Sequence, residues 1–184
     1  MRAQTHIVGV LLLVAAISSV GLIPVLTRDV GGEVELPFSD GAFQVDGKDW
    51  LVVFAGFPGC GQTCPTTLMF LDRAYREVDD ERLAVAFLNV LLHTPLSVSE
   101  DYAQGFNPEF IGYSVTADER YRLYEQMGLM ADDSLTEVAD HKANIFLYER
   151  DGGRWMLRSV YQTMPSHEKF VAHLRDVLRG SGRS

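Results

Sequence analysis

A pair of cysteines set between two patterned segments constrains this chain more than any other feature. Cys60 and Cys64 are the only cysteines in 184 residues, and three residues separate them. The preceding run, residues 50–57, is almost entirely apolar and predicts a buried strand. The following segment, 65–78, has apolar residues at helical spacing. Both sulfurs are therefore expected on one face at the start of a helix, with Cys60, at the turn, the more exposed.

The remaining pattern predicts an α/β domain. Residues 83–92 form a second apolar run, and strand, helix and strand at this spacing predict a right-handed βαβ unit with parallel strands. The other predicted elements are a helix over 95–104, a short strand over 110–115, a helix over 116–127 that starts with a capping box, a hairpin over 144–161 turning at Asp151-Gly152-Gly153, and a closing helix over 165–178. This order predicts a thioredoxin-like three-layer sandwich.

The first part of the chain predicts a membrane anchor. Residues 7–26 are 20 apolar or small residues without a charge, and a helix of that length spans roughly 30 Å, the thickness of a bilayer core. Arg2 favours a cytoplasmic N-terminus and an exported domain. A cleaved signal peptide, cut near Ala16-Ile17-Ser18, is the alternative, but it would leave an apolar tail on a soluble protein. We expect an N-terminal transmembrane helix within an anchor over 1–27, a linker over 28–35 and the domain over 36–184.

The charge of the exported part limits its partners. Residues 28–184 contain 25 acidic and 15 basic side chains, a net charge of −10. Such a surface repels nucleic acid and anionic lipid head groups and attracts cations and basic proteins. Because the chain has no basic patch, we expect no nucleic-acid partner.

Three functions fit two cysteines at a helix N-terminus. A stabilising disulfide is common in exported proteins, although a ring this short contributes only about 2 kcal/mol in the loop-entropy account. A thiol–disulfide reductase would exploit the helix dipole, which lowers thiol pKa values, although such enzymes usually separate the cysteines by two residues. A metal site would use both thiolates, which are soft ligands and suit Cu(I).

A metal site needs a third ligand, and His141 is the candidate that its position favours. It precedes the predicted strand 144–148 in the sequence Asp140-His141-Lys142, and in thioredoxin-like folds the loop entering this strand faces the cysteine-bearing helix tip. An imidazole beside two thiolates suits either oxidation state of copper, whereas structural zinc would want a fourth ligand that the chain does not supply. Position alone leaves an ordinary loop histidine equally open. The other histidines are His6, His93, His167 and His173.

The motifs around these residues resemble the Sco/SenC family of membrane-anchored, thioredoxin-like copper proteins. Residues 57–68, Phe-Pro-Gly-Cys-Gly-Gln-Thr-Cys-Pro-Thr-Thr-Leu, are similar to the family signature Cys-x-x-x-Cys-Pro-Thr-Thr-Leu. Thr94-Pro95 and residues 106–112 resemble its Thr-Pro and Phe-x-Pro-x-Phe-Ile-Gly segments, and Asp140-His141 resembles its Asp-His pair. The resemblance covers roughly residues 36–178.

The resemblance implies that Cys60, Cys64 and His141 bind copper, as Cu(I) or Cu(II), and that the cysteines can act as a redox pair. It implies a role in assembling the CuA centre of cytochrome c oxidase, by delivering copper or by reducing the thiols of the copper-bearing subunit. That subunit or another copper chaperone would be the partner. The implied location is the inner (cytoplasmic) membrane, with a single span and the domain in the periplasm. The alternative is a membrane-anchored thiol–disulfide reductase acting without metal.

Three segments depart from the family pattern. Gly61-Gln62-Thr63 stands where the family usually has Pro-Asp, whose Asp is thought to tune thiol reactivity. Phe57-Pro58-Gly59 replaces an aromatic-Thr-His sequence, and Lys142 adds a positive charge beside the predicted ligand. These departures predict a divergent subgroup.

Overall fold

The computed structural model describes residues 28–29, 45–127 and 144–180. Every helix and strand predicted from residue 50 onward is present, with ends displaced by at most three residues. The elements of the described ranges are β1 (Arg28–Asp29), β2 (Trp50–Gly56), α1 (Thr63–Val78), β3 (Leu83–Asn89), α2 (Leu96–Gln104), β4 (Ile111–Ser114), α3 (Ala117–Met127), β5 (Ile145–Asp151), β6 (Arg154–Tyr161) and α4 (His167–Gly180).

The described strands form one sheet in the order β1-β6-β5-β2-β3-β4. The neighbours β2, β3 and β4 run parallel, whereas β5 pairs antiparallel with β2 and β6 pairs antiparallel with β5. The predicted parallel core followed by an antiparallel hairpin is therefore confirmed. Strand β2, which precedes the cysteines, lies inside the sheet with a strand on each side. This position explains its nearly continuous apolar sequence.

Aromatic contacts join α1, the helix that carries Cys64, to the closing helix α4. Phe70 of α1 lies with its ring centroid 5.2 Å from that of Phe170 on α4, and Tyr161 of β6 lies 5.0 Å from the same Phe170 ring. Full burial of one such side chain stabilises the fold by about 1.5–3 kcal/mol. This cluster therefore fixes α1, and with it the cysteine pair, against the closing helix.

Helix α2 packs directly onto β4. A Cβ placed on Gly112 would lie 2.0 Å from the carbonyl oxygen of Ser99, so only glycine permits this approach. A buried polar chain reinforces the contact: Asn89 Nδ2 donates to Ser99 Oγ (3.0 Å), which lies 2.7 Å from Ser114 Oγ. These hydrogen bonds link the end of β3, the helix α2 and the end of β4.

Local turn and cap chemistry follows the sequence. The hairpin turns through Gly152 (φ 57°) and Gly153 (φ 87°), the combination of positive φ angles that a tight two-residue hairpin favours. At the start of α3 the Thr116 N–H donates to Glu119 Oε2 (2.8 Å), and the Glu119 N–H donates to Thr116 Oγ1 (3.3 Å). The predicted capping box is therefore confirmed.

The N-terminal predictions fall mostly outside the described residues. Within them, no helix is long and apolar enough to cross a membrane, and the predicted anchor over 1–27 is not among them. Arg28 pairs with Val160 and Asp29 with Ser159, so two residues of the predicted linker form the edge of the sheet. The boundaries at 27 and 35 stay predictions.

Candidate metal centre

A glycine-rich turn, defined here as residues 57–62 and called the cysteine turn, connects β2 to α1. Gly59 and Gly61 adopt φ values of 91° and 48°, in the left-handed region that favours glycine. The Cys60 N–H donates to the Phe57 carbonyl (3.2 Å), which closes the turn. Cys60 thus sits between two glycines, while Cys64 is the second residue of α1.

Both cysteine side chains are buried and neither is in a disulfide. Cys60 is 4% exposed and Cys64 0%, so the predicted order is confirmed although the turn residue is itself buried. The Cys60 thiol lies near enough to that of Cys64 to raise its pKa. A Cβ on Gly56 would lie 2.7 Å from Cys64 Sγ and 3.2 Å from Phe87 Cε2, so the missing side chain of Gly56 provides the space that the sulfur fills.

The electrostatics of Cys64 differ from what its place on the helix predicts. Burial raises its pKa to about 12, and the hydrogen bond with Cys60 acts in the same direction, while the Phe57 backbone opposes them. The helix dipole, which should lower a thiol pKa at this position, is outweighed by the loss of water. Cys64 is therefore a neutral thiol at neutral pH, and binding a metal there must release its proton.

The surroundings of the pair include a tyrosine, Tyr102, that the sequence pattern did not single out. The Tyr102 ring, on α2, packs against Phe87 (centroids 5.1 Å apart) and Phe106 (5.4 Å). Burial raises the pKa of Tyr102 to about 12, and the charges of Cys64 and Cys60 add to that shift, so its hydroxyl lies within electrostatic range of both sulfurs. No local pattern marked it, because Phe106 lies beyond the end of α2 and Phe87 lies on another element.

The third predicted ligand, His141, lies outside the described residues, as do Asp140 and Lys142. Among the residues that are described, no group of three His, Cys, Asp or Glu side chains is placed to hold a metal ion. The strand that follows His141 begins beside the cysteine turn, because Ile145 of β5 pairs with Phe54 of β2. The position of His141 as a ligand stays a prediction.

The described alternative histidines are placed elsewhere. His93 is exposed in the turn after β3, because the strand predicted over 83–92 ends at Asn89. His167 and His173, on α4, are half-buried and have partners on other elements. His167 Nε2 lies 2.8 Å from Glu77 Oε2, and His173 Nδ1 contacts the Tyr161 hydroxyl. His167 therefore connects α4 to α1, and His173 connects α4 to β6.

Comparison with solved structures shows a thioredoxin-like fold. The crystal structure of yeast Sco1 superposes with a TM-score of 0.60 at 16% identity, covering 83% of this chain and 96% of that one. Copper-bound ScoI from Arabidopsis thaliana gives 0.60 at 18% identity, covering 73% and 86%. The solution structure of apo Sco1 from Thermus thermophilus gives 0.57 at 23% identity, covering 82% and 95%.

Comparison of sequences gives the same family. The bovine mitochondrial SCO2 homolog is 26% identical over 145 residues, which cover 71% of this chain and 54% of that protein. The human mitochondrial SCO1 homolog is 28% identical over 144 residues, covering 67% and 45%. The chain thus spans about half the length of these relatives. The model of the SCO1/SenC family matches residues 37–179, most of the chain, and this protein belongs to the SCO1/SenC family.

Proposed function

We propose that this protein binds one copper ion through Cys60, Cys64 and His141 and serves the CuA centre of cytochrome c oxidase, by delivering copper or by keeping its thiols reduced. The observation that carries the proposal is the pair of buried thiols, neither in a disulfide, that the cysteine turn and the start of α1 bring together closely enough for Cys60 to raise the pKa of Cys64. Two sulfurs this near one another can bind a single ion with little rearrangement of the backbone.

The chemistry of the donors favours copper. Thiolates are soft ligands and select Cu(I), while one added imidazole also allows Cu(II). Among the similar structures, the Arabidopsis ScoI and the Bradyrhizobium japonicum ScoI contain copper. This protein has the same fold and the matching cysteine motif, which supports the same ion here.

Covalent reach supports His141 as the third ligand. Ile145 pairs with Phe54, two residues before the end of β2, so β5 starts next to the cysteine turn. Four residues of chain link His141 to Ile145, and an extended chain of that length reaches about 14 Å. A reach of that length would allow His141 to approach the sulfurs, and the Asp140-His141 sequence resembles the family pattern.

The two cysteines would divide the work of transfer. Copper binding removes the proton that burial holds on Cys64, so uptake releases protons. Cys60 is the slightly more exposed sulfur and lies between two glycines with positive φ. A thiolate of the acceptor protein would therefore replace Cys60 before it replaces Cys64.

The proposal places the domain outside the cytoplasm. Residues 7–26 would anchor it in the inner membrane, with the domain in the periplasm. The net charge of −10 over residues 28–184 suits a basic docking surface on the partner, which would be the copper-bearing oxidase subunit or another copper chaperone. Sequencing the N-terminus of protein purified from membranes tests the anchor, and a start near Ser19 would contradict it.

A copper-retention experiment tests the site. The reduced, detergent-solubilised full chain, loaded anaerobically with one equivalent of Cu(I) and desalted, should retain it, and Cys60→Ser or Cys64→Ser should abolish retention. His141→Ala should reduce Cu(I) affinity modestly, because two thiolates remain, but should abolish the coloured Cu(II)–thiolate complex. His93→Ala is the matched control and should change neither. Copper binding that survives His141→Ala unchanged but requires His93, His167 or His173 would contradict the proposed ligand set.

A thiol–disulfide reductase acting without metal is the second candidate, favoured by the same proximity of the two free thiols. Closing the pair to a disulfide would release two electrons and two protons to a substrate disulfide. Metal-free protein should then reduce a peptide disulfide at a rate that His141→Ala leaves unchanged. A rate indistinguishable from that of Cys60→Ser would exclude this candidate.

A further inference from the structure

An exposed apolar segment follows β3, and we call its residues, 91–98, the apolar rim. Three of its side chains are large, hydrophobic and exposed to solvent: Leu91 (39%), Leu96 (48%) and Val98 (41%). The other exposed large hydrophobic side chains of the described residues are scattered along the chain. A single exposed hydrophobic residue is ordinary in a soluble domain, whereas a group of them in one segment indicates an interaction surface.

Hydrogen bonds hold the apolar rim in this exposed position. The buried Asn89 side chain connects both of its ends, because Oδ1 accepts from the Leu91 N–H (3.0 Å) and Nδ2 donates to Ser99 Oγ (3.0 Å). Within the segment, Thr94 Oγ1 donates to the Leu91 carbonyl (3.1 Å). The rim is therefore preorganised, and a partner that docks on it loses little free energy to ordering of the loop.

The apolar rim lies at the same edge of the sheet as the cysteine turn. Strands β2 and β3 run parallel with Gly56 opposite Asn89, and the Val90 N–H donates to the Gly56 carbonyl (2.9 Å). The cysteine turn begins at Phe57 and the rim begins at Leu91, so both segments leave the sheet directly after this pairing. A partner that covers the rim is therefore placed beside the segment that carries Cys60.

The segments that carry the cysteine turn and the apolar rim contain no lysine or arginine. This holds for residues 50–72 and for residues 83–119. Acidic side chains are present there, and Glu100 and Asp101 follow the rim directly on α2. An apolar surface beside acidic groups is complementary to an apolar surface flanked by lysine or arginine, and it repels the anionic head groups of a membrane.

We propose that the apolar rim is the docking surface for the protein that exchanges copper with the cysteine pair, and that this partner presents an apolar patch flanked by basic side chains. The copper in this statement rests on the proposed function, whereas the surface and the chemistry of the partner rest on the rim itself. Burial of the three exposed side chains supplies affinity, and the acidic residues orient the partner and speed its association.

The test measures the binding of two synthetic peptides to the reduced, metal-free full chain in phosphatidylcholine nanodiscs, with empty nanodiscs as the blank. One peptide is an amphipathic helix of leucine and lysine, and in the other glutamate replaces lysine. Only the lysine peptide should bind. Leu96→Ser combined with Val98→Ser should weaken its binding about tenfold. Met69→Ser, which changes an exposed hydrophobic side chain on α1, should leave the affinity unchanged.

A second pair of variants tests the charge. Asp101→Asn should weaken binding of the lysine peptide about twofold, because a charge beside an exposed interface contributes little energy. Asp176→Asn removes the same charge from an exposed position on α4 and should have no effect. Circular dichroism should show every variant folded.

Three outcomes would overturn the inference. They are equal binding of the lysine and glutamate peptides, equal affinity of the wild type and the Leu96→Ser, Val98→Ser variant, and the same loss of affinity in Met69→Ser. Binding to phosphatidylglycerol vesicles that disappears in the double variant would also overturn it, because the rim would then dock on a lipid surface.

Copper retention by the wild-type protein is a separate measurement, so the two proposals fail separately. A protein that retains no copper but shows the expected peptide binding would refute the copper function and leave the docking surface in place. A protein that retains copper but binds the lysine peptide equally well with and without the rim side chains would refute the docking surface alone.

Discussion

Two turns in the described part of this protein contain a pair of glycines at positive φ, yet only one of them encloses reactive groups. Gly152 and Gly153 reverse the chain between β5 and β6, and both are exposed. In the cysteine turn, Gly59 and Gly61 flank Cys60, which is 4% exposed. The paired strands define the hairpin, whereas the cysteine turn takes its shape from what it packs against. The same local device can therefore produce a connection or a site, depending on its tertiary contacts.

Gly61 belongs to the segment Gly61-Gln62-Thr63, which stands where the family usually has Pro-Asp. Its φ is 48°, a conformation that proline, which is restricted to φ near −65°, cannot adopt. The turn described here therefore could not form with proline at position 61.

Gly56→Ala should have the largest effect and would show how tightly the cysteine turn is packed. The new methyl group would meet Cys64 Sγ at 2.7 Å, and overpacking of this kind costs about 2 kcal/mol of the free energy of unfolding. Urea unfolding of the reduced protein measures the loss. The cost should be smaller in a Cys64→Ala background, because the obstructing sulfur is gone. Equal costs in both backgrounds would mean that the sulfur is not the obstacle.

Gly61→Ala and Gly153→Ala should each lower the free energy of unfolding by about 1 kcal/mol. Neither glycine has an atom within 4 Å of a new Cβ, so the cost comes from positive φ alone. The two variants should differ in copper affinity. Gly61→Ala should weaken copper binding, because only this change disturbs the backbone next to Cys60. Chelator competition measures this, and the same loss of affinity for Gly153→Ala would break the comparison between the turns.

The smallest effect should be a pH dependence specific to the cysteine turn. The folded-state pKa of Cys64 is raised from 9.0 to about 12. The neutral buried thiol is therefore fully accommodated below pH 9, and stability is lost as the pH rises from there towards about 12, because the unfolded state releases its proton first. Urea midpoints of the reduced protein at several alkaline pH values should fall more steeply for wild type than for Cys64→Ala. Parallel curves would contradict the raised pKa.

Much of the fold is legible in the sequence because its signals are local. The apolar strand β2, the capping box at Thr116 and the glycine pair at 152–153 each specify their own structure through nearby residues. The cysteine pair at the start of α1 was predicted on the same basis and is confirmed.

The features that the sequence did not predict depend on contacts between distant segments. Tyr102 meets Phe87 only because α2 packs back onto β3 and β4, an arrangement with no local pattern. Burial, which is tertiary, overrides the local helix dipole at Cys64. The two-residue strand β1 is too short to leave any periodicity. His141 remains an expectation from the motif and from its position before β5.

The short strand β1 has a mechanical consequence. Any load applied through the chain that precedes Arg28 enters the sheet at its outer edge, where only Arg28 and Asp29 pair with β6. Two further strands, β6 and β5, stand between that edge and β2, a distance of about 14 Å at the usual strand spacing. A force on the preceding chain would therefore separate β1 from β6 first. Strand β2, which leads into the cysteine turn, would not bear that force.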